Sequence, residues 1–212
     1  MSGPDKAGQY RRQARGWSER EYADGRTYLE RRADLVLSLG QALRPGDEVL
    51  DLACGDGALG EALLGRGLRY RGVDMTEEMV AEAHRRLGAR AVVELGDLND
   101  YAPPNQVAAT TVFRAVYYAR DRRAFFAHVA SYTTTKLVLD LNPRQYSLDA
   151  VVGDLQAAGF DRVALRPFFV PQRVALPRPV ALAFRGAERV GPLARLALRL
   201  RFTYLVAAYK SA

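Results

Sequence analysis

From about residue 26 onward, short apolar runs rich in β-branched residues alternate with stretches whose apolar positions recur at helical spacing. Glu48-Val49-Leu50-Asp51-Leu52 follows the turn Arg44-Pro45-Gly46-Asp47 and is the first predicted strand. Further strands are predicted over Tyr70 to Val73, Ala91 to Leu95, Val107 to Phe113 and Lys136 to Leu141. Helices are predicted near 57–65, 77–87, 121–132 and 147–158, so each crossover is long enough for a right-handed strand–helix–strand unit. This order is the mark of an α/β fold with a parallel sheet. Past Gly159 the pattern changes: Arg162 to Val170 and Phe202 to Tyr209 read as strands with no long crossover helix between them, which makes the final strand antiparallel. Within 171–201 stand Pro171, Pro177, Pro179 and Pro192, and Pro192 suits the first turn of a short helix over 192–201.

Composition narrows the class. At 212 residues, 49% apolar and 26% charged, the chain can bury a core as one domain. No apolar run approaches the roughly 20 residues that span a bilayer. The start, Met1 to Lys6, lacks the apolar stretch of a secretory signal, and Cys54 stands alone, so a reducing cytoplasm is the expected location. The net charge of +7 is uneven: residues 33–140 carry 12 cations against 15 acids, while 1–32 carry 8 against 5 and 141–212 carry 11 against 4. Basic ends can attract phosphate, nucleic acid or anionic lipid, but 28 of the 31 cations are Arg, a bias that also arises from genome composition.

The densest chemistry lies where the first strand runs into Ala53-Cys54-Gly55-Asp56-Gly57-Ala58-Leu59-Gly60. Residues 55–60 satisfy G-x-G-x-x-G, the phosphate-cradling pattern of dinucleotide sites. Asp51 decides between ligands, because a carboxylate at the strand end repels pyrophosphate and holds an ammonium by charge-assisted hydrogen bonding. S-adenosylmethionine carries such an ammonium on its methionyl part; NAD does not. Asp74 ends the second strand, placed to accept from ribose hydroxyls, and Asp97 follows the third, placed to accept from an adenine amine. Three acids at successive strand ends form one rim, where open α/β sheets bind ligands. Thr76 is a plausible N-cap for the helix that starts at Glu77.

These residues resemble the class I S-adenosylmethionine-dependent methyltransferase family, in its branch acting on small molecules, over roughly residues 30–165. The resemblance implies a Rossmann-like doubly wound seven-stranded sheet, mostly parallel with an antiparallel last strand and helices on both faces. In that frame 1–30 form N-terminal lid helices, 31–170 the cofactor-binding core, 171–201 a substrate-side insertion and 202–212 the final strand. Cofactor contacts are implied at Asp51, Ala53, Cys54, Gly55, Asp56, Gly57, Asp74, Met75, Asp97, Leu98, Phe113, Arg114 and Tyr118, with Tyr10 and Trp17 as lid residues. Ala53 replaces the family's commonest first glycine, which a methyl tolerates if φ stays negative. After the fourth strand the family's frequent His pair is absent, and Arg114-Ala115-Val116-Tyr117-Tyr118 stands there instead. Arg114 can pair with an acidic substrate or with Asp56.

Methyl transfer is an in-line displacement in which alignment and desolvation supply much of the rate. Tyr117, Tyr118, Asp140 and His128 are the candidate catalytic residues, Asp140 better placed as a base than His128, while His84 lies on a polar face. Cys54 sits in the glycine loop, the wrong place for a nucleophile of carbon-5 pyrimidine methylation. Asn/Asp-Pro-Pro-aromatic after strand four is missing, and no His/Cys metal spacing occurs. The expected activity is methyl transfer to an oxygen, nitrogen or carbon of a small apolar metabolite, yielding S-adenosyl-L-homocysteine, by a monomer or homodimer with no nucleic-acid partner. Peripheral membrane contact is open to 192–201, where Leu193, Leu196, Ala197 and Leu200 share a helical face apart from Arg195, Arg199 and Arg201. The alternatives are an RNA-modifying methyltransferase using the basic ends, an NAD-dependent oxidoreductase, or a non-catalytic cofactor-binding subunit.

Overall fold

The computed structural model describes residues 18, 21, 23–169, 177–188, 191–193, 196 and 203–211. Seven strands form one sheet: β1 (Glu48–Leu52), β2 (Arg69–Asp74), β3 (Val92–Leu95), β4 (Val107–Val112), β5 (Thr133–Leu141), β6 (Arg162–Pro167) and β7 (Tyr204–Tyr209), in the order β3-β2-β1-β4-β5-β7-β6. β1 pairs in parallel with β2 and β4, and the order reverses on either side of it. β7 is antiparallel to both β5 and β6. The expected fold class therefore holds.

Alternation along each strand feeds two cores. Val49, Val138, Leu205 and Ala207 join α1 (Gly25–Ser38), α2 (Ala58–Leu64) and α3 (Glu77–Leu87) on one face. Leu50, Leu52, Leu139 and Val206 join α4 (Arg122–Tyr132) and α5 (Leu148–Ala157) on the other. Asp24 caps α1 by accepting from the Thr27 amide at 3.0 Å, and Asp121 caps α4 through the Ala124 amide. Thr76 occupies the N-cap position of α3, but its hydroxyl donates to Asp74 at 2.8 Å instead of capping the helix.

Several boundaries differ from the sequence reading. β5 begins at Thr133, directly after α4, because Thr133-Thr134-Thr135 are β-branched and suit a strand although polar. β6 ends at Pro167, short of Val170. α1 crosses the boundary set at residue 30. α6 (Arg178–Ala187) is a helix the proline-rich sequence concealed: Pro179 sits in its first turn, where a missing N–H costs nothing. Of the helix expected over 192–201, residues 192, 193 and 196 are helical and the rest lie outside the described residues.

Candidate active site

β1 delivers Asp51 to the sheet's C-terminal edge, and the loop after it turns through left-handed φ at Ala53 (61°), Gly55 (57°) and Gly57 (75°). The expectation that Ala53 keeps a negative φ is therefore corrected: this alanine adopts the conformation of the glycine it replaces, a strained state for an L-residue. Gly57 opens α2, where a Cβ would lie 3.0 Å from Leu87 Cδ1. At Gly60 a Cβ would lie 2.6 Å from the Tyr70 ring, so the last glycine lets α2 press onto β2.

Beside this loop opens a cavity of about 370 Å³. Its wall includes Asp51, Ala53, Cys54, Gly55, Asp56, Asp74, Met75, Asp97, Leu98, Phe113, Arg114 and Tyr118, gathering most of the cofactor contacts implied by sequence. Asp51 accepts from Tyr70 Oη at 2.8 Å and from Thr111 Oγ1 at 2.6 Å. Burial nevertheless dominates and pushes its carboxyl up to about 6, against the opposing pull of those two bonds and the Arg32 charge. Burial, then the charge of Asp51, pushes the Cys54 thiol far up, so it is inert as a nucleophile.

Asp74 binds the glycine loop itself: Oδ2 accepts from the Gly55 amide at 2.9 Å, and Oδ1 from the Thr76 amide at 3.0 Å. Asp97 is pushed up by partial burial, but bonds from Asn99 and the charge of Arg120 bring it net below the usual carboxylate range. Asp56 accepts from Ser18 through its amide at 3.0 Å and hydroxyl at 2.5 Å, and from Arg86 at 3.1 Å, pinning residue 18 over the loop.

The sequence reading missed Arg32. This buried residue of α1 lines the cavity, its guanidinium carbon 4.7 Å from the Tyr28 ring centre and 4.5 Å from that of Phe113. Its Nη2 donates to Asp140 at 2.7 Å and to Tyr28 Oη at 2.8 Å. Asp51 and Arg32 thus both line the cavity, and the Arg32 charge acts on Asp51, an acid and a cation of the kind that suit a zwitterionic amino-acid group. Adjacent arginines at 31 and 32 on an otherwise core-facing helix were the available signal, as was the polar interruption Thr110-Thr111 in an apolar strand.

Comparison with known proteins identifies the site's setting. Residues 49–136 match the family model of a methyltransferase domain. That segment is similar to methyltransferase domains. An uncharacterized methyltransferase of Schizosaccharomyces pombe is 34% identical over 82 residues, 38% of this chain and 30% of that relative, so the chain spans less than a third of the relative's length. Magnesium protoporphyrin IX methyltransferase from Synechocystis, solved with bound S-adenosylmethionine, superposes with a TM-score of 0.58 at 16% identity, over 100% of this chain and 86% of that one. The methyltransferase in complex with the Trm112 methyltransferase activator of Haloferax volcanii gives a TM-score of 0.63 at 19% identity, over 99% and 100%. These likenesses are of fold.

Other expected residues fall outside the cavity wall. Asp140 does not line the cavity; its Oδ1 accepts from the Arg114 amide at 2.6 Å while Oδ2 holds Arg32. It therefore stabilises the turn after β4, where Arg114 has a φ of 55°. Arg114 pairs with Glu21 at 2.9 Å rather than with Asp56. Tyr117 is 37% exposed and outside the cavity wall, its ring tilted against Tyr118. His128 sits on α4 with Nε2 2.9 Å from the Tyr101 carbonyl and its ring edge-on to Tyr132, also away from the cavity. His84 is exposed. Tyr10 and Trp17 lie outside the described residues. Among the described residues, no three His, Cys, Asp or Glu side chains gather to hold a metal.

Proposed function

We propose that this chain is an S-adenosyl-L-methionine-dependent methyltransferase acting on an oxygen, nitrogen or carbon of a small, largely apolar metabolite. The observation that carries the reading is the acid gathered at the glycine loop: the Gly55 amide is already bonded to Asp74, and Asp51 lines the same cavity as the loop. A pyrophosphate meets two carboxylates there and loses an amide donor. A methionyl ammonium meets Asp51, its carboxylate meets Arg32, and an adenosine meets Asp74 and Asp97 with Met75 and Leu98 as apolar walls. When bound, the donor supplies an electrophilic methyl group on a sulfonium.

The chain's own contribution is placement and dryness. Phe113, Leu98 and Ala115 exclude water from the cavity wall, and Tyr118 offers a phenol beside them. No histidine lines the wall, so alignment, rather than a histidine base, is the resource this site offers.

Asp51 makes the proposal testable by pH. Its folded value of about 6 lies above the unfolded 3.8. The unliganded protein therefore binds the extra proton between these values and loses stability as pH rises through that window. An ammonium ligand needs the ionised form, so affinity for S-adenosyl-L-homocysteine is expected to rise about tenfold per pH unit below pH ~6 and level off above it. Calorimetric titration between pH 5 and 7.5 reads this directly; a flat profile overturns the role given to Asp51.

A further inference from the structure

Asp97 is held by its own neighbours before any ligand reaches it. It follows β3 in Asp97-Leu98-Asn99-Asp100, and its Oδ1 accepts from the Asn99 amide at 2.9 Å and from Asn99 Nδ2 at 2.7 Å, a turn that fills both lone pairs of that oxygen. An N–H arriving from the cavity can therefore be accepted only by Oδ2. There Arg120 Nη2 already donates at 2.6 Å, and both residues line the cavity. A positive charge at that distance weakens the oxygen as an acceptor and repels the hydrogen of an incoming donor.

Arg120 has a second acid to rest on. The same guanidinium donates to Asp100, Nη1 to Oδ1 at 3.2 Å and Nη2 to Oδ2 at 3.0 Å, a two-bond fork that does not need Asp97. Its backbone is fixed independently: the Arg120 amide donates to Asn99 Oδ1 at 2.9 Å, and Asn99 Nδ2 reaches the Tyr118 carbonyl at 3.3 Å. Asn99 thus ties the loop after β3 to the turn after β4, so the guanidinium stays at the rim whichever acid it favours. Because the Arg120 side chain is 64% exposed, its pair with Asp97 is weak enough to exchange.

We propose that Arg120 competes with the cofactor's base for Asp97 Oδ2 and so sets how strongly the site reads the amino group of that base. Binding exchanges the Arg120–Asp97 bond for an amine–Asp97 bond while Arg120 rests on Asp100. The inference rests on the methyl-donor reading, in which adenine lies at Asp97. The test is calorimetric titration with S-adenosyl-L-homocysteine and with its analogue carrying unsubstituted purine in place of adenine, which lacks the amine. Arg120→Ala is expected to tighten binding of the first by about two- to fivefold, the range set by an exposed ion pair, and to leave the second unchanged. Asp100→Asn removes the resting place and is expected to weaken the first by a similar factor, again without effect on the second. A merely structural role for Arg120 does not produce opposite shifts confined to the amine-bearing ligand. Equal shifts for both ligands, or none in either variant, overturn the proposal and leave the donor reading standing. A wild type that binds neither ligand overturns the donor reading and the proposal with it.

Discussion

Replacing Asp51 by Asn is expected to weaken binding of S-adenosyl-L-methionine by about 10- to 100-fold, the loss of one buried charge-assisted hydrogen bond of roughly 1.5–3 kcal/mol. The amide keeps the shape of the carboxylate, so Tyr70 and Thr111, which hold it at 2.8 and 2.6 Å, retain a polar partner. Because the ionised acid is unfavourable in the unliganded protein, the variant should also be more stable than wild type above pH ~6. Loss of affinity with a gain of stability is a signature that general unfolding does not produce. Isothermal calorimetry paired with thermal denaturation at pH 7.5 measures both. An unchanged affinity would mean that the cavity's amino-acid end lies elsewhere.

Asp140→Ala is expected to cost stability first. The substitution strands the Arg32 guanidinium among Tyr28, Phe113 and Phe168 and removes the acceptor of the Arg114 amide. Breaking one partner of a buried pair costs about 3–5 kcal/mol, or roughly 10 °C in melting temperature for a chain of this size. A residue acting only as a base would lower turnover and leave the melt untouched. Double replacement with Arg32→Met should recover much of the lost stability, because no buried charge is then uncompensated. Failure of that rescue would show that the Arg114 turn, rather than the ion pair, carries the cost.

The parts of the molecule that local sequence dictates were readable. Val49-Leu50-Asp51-Leu52 announces a buried strand, the glycines after it announce a turn, and repetition of strand-then-acid at Asp74 and Asp97 places the rim. What could not be read depends on neighbours remote in sequence. Arg32 and Asp140 are 108 positions apart, and only the assembled sheet shows that the acid is spent on the arginine. Tyr117 and Tyr118 are adjacent, yet the short 3₁₀ turn over Val116–Tyr118 leaves only Tyr118 on the cavity wall. His128 follows two phenylalanines on α4, and helix rotation carries it to Tyr101 and Tyr132 instead of the cavity. At Ala53 the residue type argued for negative φ, whereas the loop closes around a left-handed turn fixed by Cys54 N bonding Val73 O and Gly55 N bonding Asp74. The helix α6 escaped because prolines at 177 and 179 read as loop when they mark a helix start.

The reading rests on what the acid-lined loop binds. Parallel calorimetric titration of the full chain with S-adenosyl-L-methionine, S-adenosyl-L-homocysteine and NAD asks this without knowledge of the acceptor. Saturable binding of the first two and none of NAD is the predicted result. Binding of NAD alone would contradict it and reassign the glycine loop to a dinucleotide.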